Sequence, residues 1–387
     1  MLNVKNPLAL FVFMWLFVLY IYSKQYSLLL TPLTFETIGY VIMTCLSFVL
    51  SFYCMQIIFL EKKFVKNNVF EESASILPKL RRIFKIWVFF TLLEITYFRG
   101  LPLLSVLLGG EGKYTEWGIP SLHGFLNAMV ITLSNYCFYY YIKNKDKKFL
   151  YFFILCVLWP ILLVTRQMLL SMVVQATVIY IMCNSIRISS ILKVIFSGFL
   201  IVCLFGLVGD LRSGGDSFLN LAQPSSDYPT WLPSGVLWVY IYMVSPLNNV
   251  NFNIHIYPDF NFSPSVLISN FFPSFIRTKI FAPSDQFNFQ LVNEYLNVST
   301  MFPSYLEAFG RIGSLIFYFL LGLLISFVYF KFKSKNSNVK WLFILAVIFH
   351  NLIFSVFVDF FFNLVFLFQF VLHFYIAKPI KFSSNEN

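Results

Sequence analysis

The sequence predicts an all-α, polytopic helical membrane protein, and three observations carry that prediction. Hydrophobic residues make up 59% of the 387-residue chain and charged residues only 12%, too little polar surface for a soluble chain of this length. About ten apolar runs are long enough to cross a bilayer. The basic residues segregate between the segments that join those runs, as the positive-inside rule requires.

The first run, 7–23, resembles a signal peptide only superficially. Its leading segment holds the single Lys5 and no small-x-small cleavage site follows, so it reads as an uncleaved first span. The next runs fall at 34–60, long enough to tilt, and 83–98, which is short. They continue at 122–142, 149–165, 168–185, 194–209, 314–330, 341–357 and 360–376. With ten crossings and both termini cytoplasmic, the inner segments hold 20 of the 28 basic residues. The outer side keeps Lys24, Arg99, Lys113, Arg166, Arg212, Arg277, Lys279 and Arg311.

One apolar stretch, Trp231 to Pro246, is left over. Counting it as a crossing would place Lys331, Lys333, Lys335 and Lys340 outside, so it reads as an interfacial or re-entrant helix. It lies within one large external loop, 209–312, of a single transmembrane domain spanning 1–387. No internal repeat of the spans is visible, which disfavours a repeat-built transporter. The net charge of +11 is what bases retained on cytoplasmic loops produce and does not indicate nucleic acid. All six cysteines lie in apolar runs, and no Cys/His spacing indicates a metal.

Lysine and arginine are divided unequally. The inner side has 17 Lys and three Arg, whereas the outer side has three Lys and five Arg. Topology alone does not distinguish the two cations. Arginine stays charged in a low dielectric and pairs bidentately with phosphate, so external arginines suit an anionic, membrane-embedded headgroup. Snorkelling at helix ends is the plainer reading. Arg166 sits in a hairpin turn of very few residues, close to the bilayer boundary. Arg212 lies in "VGDLRSGGDSF", where Gly214 and Gly215 permit an anion nest. Glu307 and Arg311 are i and i+4, so they are expected to share a helix face just above the eighth span. They are either an ordinary ion pair or an anion ligand with a general base beside it. His123 and His255 face the same side. Trp117, Trp231, Trp238, Tyr240 and Tyr242 are either sugar-stacking rings or an interfacial belt. Glu94 and Asp359, near outer span ends, are expected to pair with arginines.

Four motifs, "YTEWGIPSLHGF" (114–125), "LLVTRQMLLSMVVQ" (162–175), "YIYMVSPLNNVNF" (240–252) and "FPSYLEAFGRIGSLIFYFLLG" (302–322), occur in this order. Together they resemble bacterial Wzy-type O-antigen or oligosaccharide repeat-unit polymerases over nearly the whole chain, and "SPLNN" carries the resemblance furthest. The resemblance implies a C-type membrane glycosyltransferase in the bacterial inner membrane. Its donor and acceptor would be undecaprenyl-pyrophosphate-linked oligosaccharides, without cofactor or metal. Membrane lipids and a polysaccharide chain-length regulator would be further partners. It implies catalytic roles for Arg166, Arg212 and Arg311, with the base left open between Glu307 and a histidine such as His255. Arg99, His123, Tyr242, His255 and Arg277 are the substrate-binding candidates. An O-antigen ligase, which shares the donor, and a polysaccharide flippase are the competing readings.

Overall fold

A computed structural model describes residues 5–59, 70–109, 117–184, 222–229, 231–232, 234–281, 289–294, 296–335 and 337–378. Among them the regular structure is helical, with isolated β-bridges and no strands. The helices are α1 (Pro7–Tyr22), α2 (Phe35–Ile58), α3 (Ile76–Tyr97), α4 (Pro102–Leu107), α5 (Leu122–Asn144), α6 (Lys147–Leu162) and α7 (Arg166–Cys183). Beyond the undescribed stretch come α8 (Ser234–Asn253), α9 (Ser274–Ile280), α10 (Phe302–Lys333), α11 (Lys340–Phe354) and α12 (Leu364–Ala377). Helix starts are marked in the sequence. Asn6, Thr34, Asp146 and Asn363 each accept a hydrogen bond from a first-turn N–H of α1, α2, α6 and α12.

Among the described residues four helices are long and apolar enough to cross a membrane: Phe35–Ile58, the stretch Ile76–Leu107, Arg166–Cys183 and Phe302–Lys333. Pro7–Tyr22, Lys340–Phe354 and Leu364–Ala377 are shorter apolar helices. The expected run at 194–209 and Arg212 lie outside the described residues. Outward faces are apolar: Leu46, Leu50, Tyr53 and Ile57 on α2, and Ile316, Leu320 and Leu324 on α10, are all exposed. Such contiguous apolar faces suit hydrocarbon, not water.

The connecting segments gather at two opposite ends of the bundle. At one end Lys5 donates to the Asn184 carbonyl, Lys143 pairs with Glu72, Glu71 bonds Ser337, and Lys79 donates to the Tyr375 carbonyl. At the other end Leu28 bonds Gln223, His123 meets Glu94, and Thr300 bonds Phe357. These two groups of segments are the ones that the distribution of bases separates.

α8 covers most of the stretch read as an interfacial or re-entrant helix. It runs Ser234–Asn253, beyond the 231–246 stretch at its C-terminal end, and is largely buried, with α1 among its neighbours. Four asparagines explain its position. Asn248 holds Leu29 and Thr31; Asn249 holds Val292, Leu296 and Val298; Asn251 holds Thr31, Pro32 and Thr34; Asn253 holds Gln290. The helix is thus an internal clamp between the α1–α2 connection and the segment leading to α10, and "SPLNN" is part of it. Buried amides with both ends bonded specify one arrangement of the loops they join.

Candidate functional site

A cavity of about 490 Å³ opens at the end of the bundle that carries Thr300 and Asp359. Three helix starts meet there: Ser121 before α5, Pro303 and Ser304 in the first turn of α10, and Asn363 to Val365 at the start of α12. The positive ends of three helix dipoles therefore meet at one space, an arrangement that favours anions. Arg277 of α9 adds a full charge to the wall. Its Nη1 donates to Asn270 Oδ1 at 3.2 Å, and it pairs with no carboxylate among the described residues.

Two wall residues other than glycine hold positive φ: Ser121 at 71° and Thr300 at 62°. For β-branched Thr300 this conformation is costly and persists only where neighbours impose it. Here the Thr300 N–H donates to the Phe357 carbonyl and Met301 N–H to Ser355, locking the start of α10 to the loop between α11 and α12.

That loop carries Asp359, partly exposed on the cavity wall. Phe361 N–H donates to its Oδ1 at 2.8 Å and the Tyr305 hydroxyl at 3.3 Å. Burial pushes the carboxyl up to about 7, against the hydrogen bonds from Phe361, Tyr305 and Phe362 that pull it down. A carboxyl poised near neutral pH beside an anion-attracting wall is suited to general-base work. Among the described residues Asp359 pairs with no arginine, contrary to expectation. Glu94 does not either: it is fully buried and accepts from Ile119 N–H at 2.9 Å and meets His123 Nδ1 at 3.0 Å.

The other predicted residues are dispersed. Arg277 alone of the predicted site residues that are described lines the cavity. His123, two residues beyond Ser121, is held by Glu94 and edge-on to Trp117. Arg166 opens α7 and is exposed, as are Arg99, Tyr242 and His255; none of these lines the cavity. Glu307 and Arg311 do not share a helix face. Gly310, at φ 74° and ψ −178°, breaks α10 between them, and residues 258–263 bond into the break. Arg311 instead lies 2.7 Å from Asp259 and 3.6 Å from Glu36, tying that segment to the start of α2. Its two terminal nitrogens thus face carboxylates, while its buried Nε has no hydrogen-bond partner among the described residues. The sequence singles out Asp359 as a carboxylate near an outer span end, but nothing in "FSVFVDFFFN" marks that turn as a pocket wall. Its one signal is a carboxylate in an otherwise apolar stretch.

Fold and cavity together describe an all-helical protein, compatible with a helical membrane protein, with a cavity lined by Arg277 and Asp359 at one end of its bundle. No protein family, curated protein or solved structure matches the chain.

Proposed function

We propose that the protein is a membrane glycosyltransferase that polymerises undecaprenyl-pyrophosphate-linked oligosaccharide repeat units on the outer face of the bacterial inner membrane, as Wzy-type polymerases do. The observation that carries the reading is the cavity, in which Arg277, three helix N-termini and Asp359 share one wall system. The donor pyrophosphate lies against Arg277 and the helix N-termini, which stabilise charge as it develops on the leaving group. The acceptor hydroxyl attacks the donor's anomeric carbon, the bond from that carbon to the pyrophosphate oxygen breaks, and Asp359 takes the hydroxyl proton. In this topology ten helices cross the membrane with both termini cytoplasmic, and the cavity opens outward, where lipid-linked units are available.

The test is a deletion strain examined by gel electrophoresis of its lipopolysaccharide. Loss of the ladder with one repeat unit still attached supports polymerisation. Loss of all attached antigen identifies a ligase, and accumulation of lipid-linked units on the inner leaflet a flippase.

A further inference from the structure

Helices α5, α7, α11 and α12 close a ring. α5 packs on α7 and α12, and α11 packs on the same two. The interior of such a ring in an apolar bundle needs only apolar side chains, yet here it carries a file of buried polar ones.

Nearest the cavity, Asn351 Nδ2 donates at 3.3 Å to the carbonyl of Phe360, the residue after Asp359. Asn351 Oδ1 lies 3.0 Å from His350 Nδ1, and His350 Nε2 lies 2.9 Å from Ser171 Oγ. One turn further along α7, Gln175 accepts from Asn135 of α5 at 2.6 Å. The Tyr136 ring then lies 5.8 Å from that of His373. Tyr139 follows, its hydroxyl on Glu72, which also pairs with Lys143 at the opposite end of the bundle. The file thus runs from one end of the ring to the other, with Asp359 and Glu72 partly exposed at its two mouths.

Most of the remaining polar atoms in this file have no protein partner among the described residues. They are both side-chain polar atoms of Gln369, both ring nitrogens of His373, the hydroxyls of Tyr136 and Thr132, Asn135 Oδ1 and Gln175 Nε2. Gln369 and His373 are fully buried. An unpaired buried group is costly, and buried water, which both donates and accepts, is the ligand that satisfies such a mixture. Successive turns of a helix lie about 5–6 Å apart, a gap that one bridging water closes. Polar and ionisable side chains that face a bundle interior mark proton and ion routes. The file holds no carboxylate between its mouths, and no group of metal-ligating side chains occurs among the described residues. Its chemistry therefore suits a proton carried along water and neutral side chains, not a metal cation.

From this arrangement we propose that the ring is a proton-transfer path between Asp359 and Glu72, hydrated beside Gln369 and His373 and gated at the Asp359 end by Phe360 and Phe366. The gate is aromatic: the His350 ring stacks on Phe366 at 4.5 Å and lies 5.4 Å from Phe360. Each step forms one O–H or N–H bond as it breaks another, driven by the proton gradient alone. The inference goes beyond glycan transfer and shares only Asp359 with it.

The full-length protein in liposomes containing trapped pyranine, with a potassium gradient and valinomycin to set the potential, reads the flux without any sugar substrate. Proton entry is expected above the protein-free rate, to rise in Phe360→Ala, and to fall to the protein-free rate in Gln369→Leu and His373→Phe. Leu170→Ala, on the exposed face of α7, leaves it unchanged. Adding Gln369→Leu to Phe360→Ala cancels the increase, which leakage from a misfolded chain would not permit. Flux equal to protein-free vesicles in both the natural protein and Phe360→Ala overturns the path, as does flux indifferent to Gln369→Leu and His373→Phe. Either failure leaves the glycan-transfer reading standing.

Discussion

The Tyr305 hydroxyl donates to the Asp359 carboxylate at 3.3 Å, joining the first turn of α10 to the loop before α12. Burial raises this carboxyl to about 7 while the Tyr305 bond lowers it. A general base acts when deprotonated, so the transfer rate rises with pH through about 7 and levels above it. Tyr305→Phe removes a bond to the charged form and moves that limb to higher pH. Repeat-unit transfer assayed in isolated membranes across pH 5–9 checks both; a limb that does not move in Tyr305→Phe contradicts the assignment.

Arg277 and Arg166 separate by position. Arg277→Ala removes a charged ligand from the cavity wall and weakens donor binding by about 1.5–3 kcal/mol, roughly ten- to hundredfold in apparent KM. Arg277→Lys recovers only part of this, because a point charge does not reproduce the guanidinium fork. Arg166→Lys, away from the cavity, leaves chain length unchanged. Initial-rate kinetics with purified lipid-linked donor distinguish the three variants.

Gly310→Ala is expected to damage folding more than chemistry. A Cβ there would meet Pro258 O at 2.7 Å and Asp259 O at 2.8 Å. The backbone conformation itself is essentially restricted to glycine and costs another residue about 1–3 kcal/mol. Lower thermal stability in detergent, together with loss of the Arg311–Asp259 pair, is the expected result. Gly39→Ala, with open space around it, is the control that retains full stability.

Asn249→Ala strips partners from Val292 N–H and from the Leu296 and Val298 carbonyls together. Leaving these groups unpaired costs roughly 3 kcal/mol or more. The segment leading into α10 should become sensitive to protease while the remainder of the bundle stays intact. Limited proteolysis of the two proteins side by side shows whether it does.

Much of the helical frame was legible because apolar runs and caps are local signals. The distribution of lysines separates the same segments that the structure gathers at opposite ends. The site was less legible. Arg277 could be named because arginine outnumbers lysine on one side of the predicted topology. Asp359, Ser121 and Thr300 come together only through tertiary packing, as Thr300 N–H reaches Phe357 across 57 residues. The Glu307–Arg311 pairing failed for a local reason: i,i+4 spacing assumes an unbroken helix, and Gly310 lies within it. The asparagines of "SPLNN" hold loops, a role that residue type alone does not reveal.

The central claim is that Asp359 takes the acceptor proton in the cavity. Asp359→Asn keeps the side-chain size and removes the base, so it should be introduced into the deletion strain at natural expression level. The expected lipopolysaccharide gel shows single repeat units and no ladder, with the variant present in the membrane in normal amount. A full-length ladder from Asp359→Asn would contradict the account.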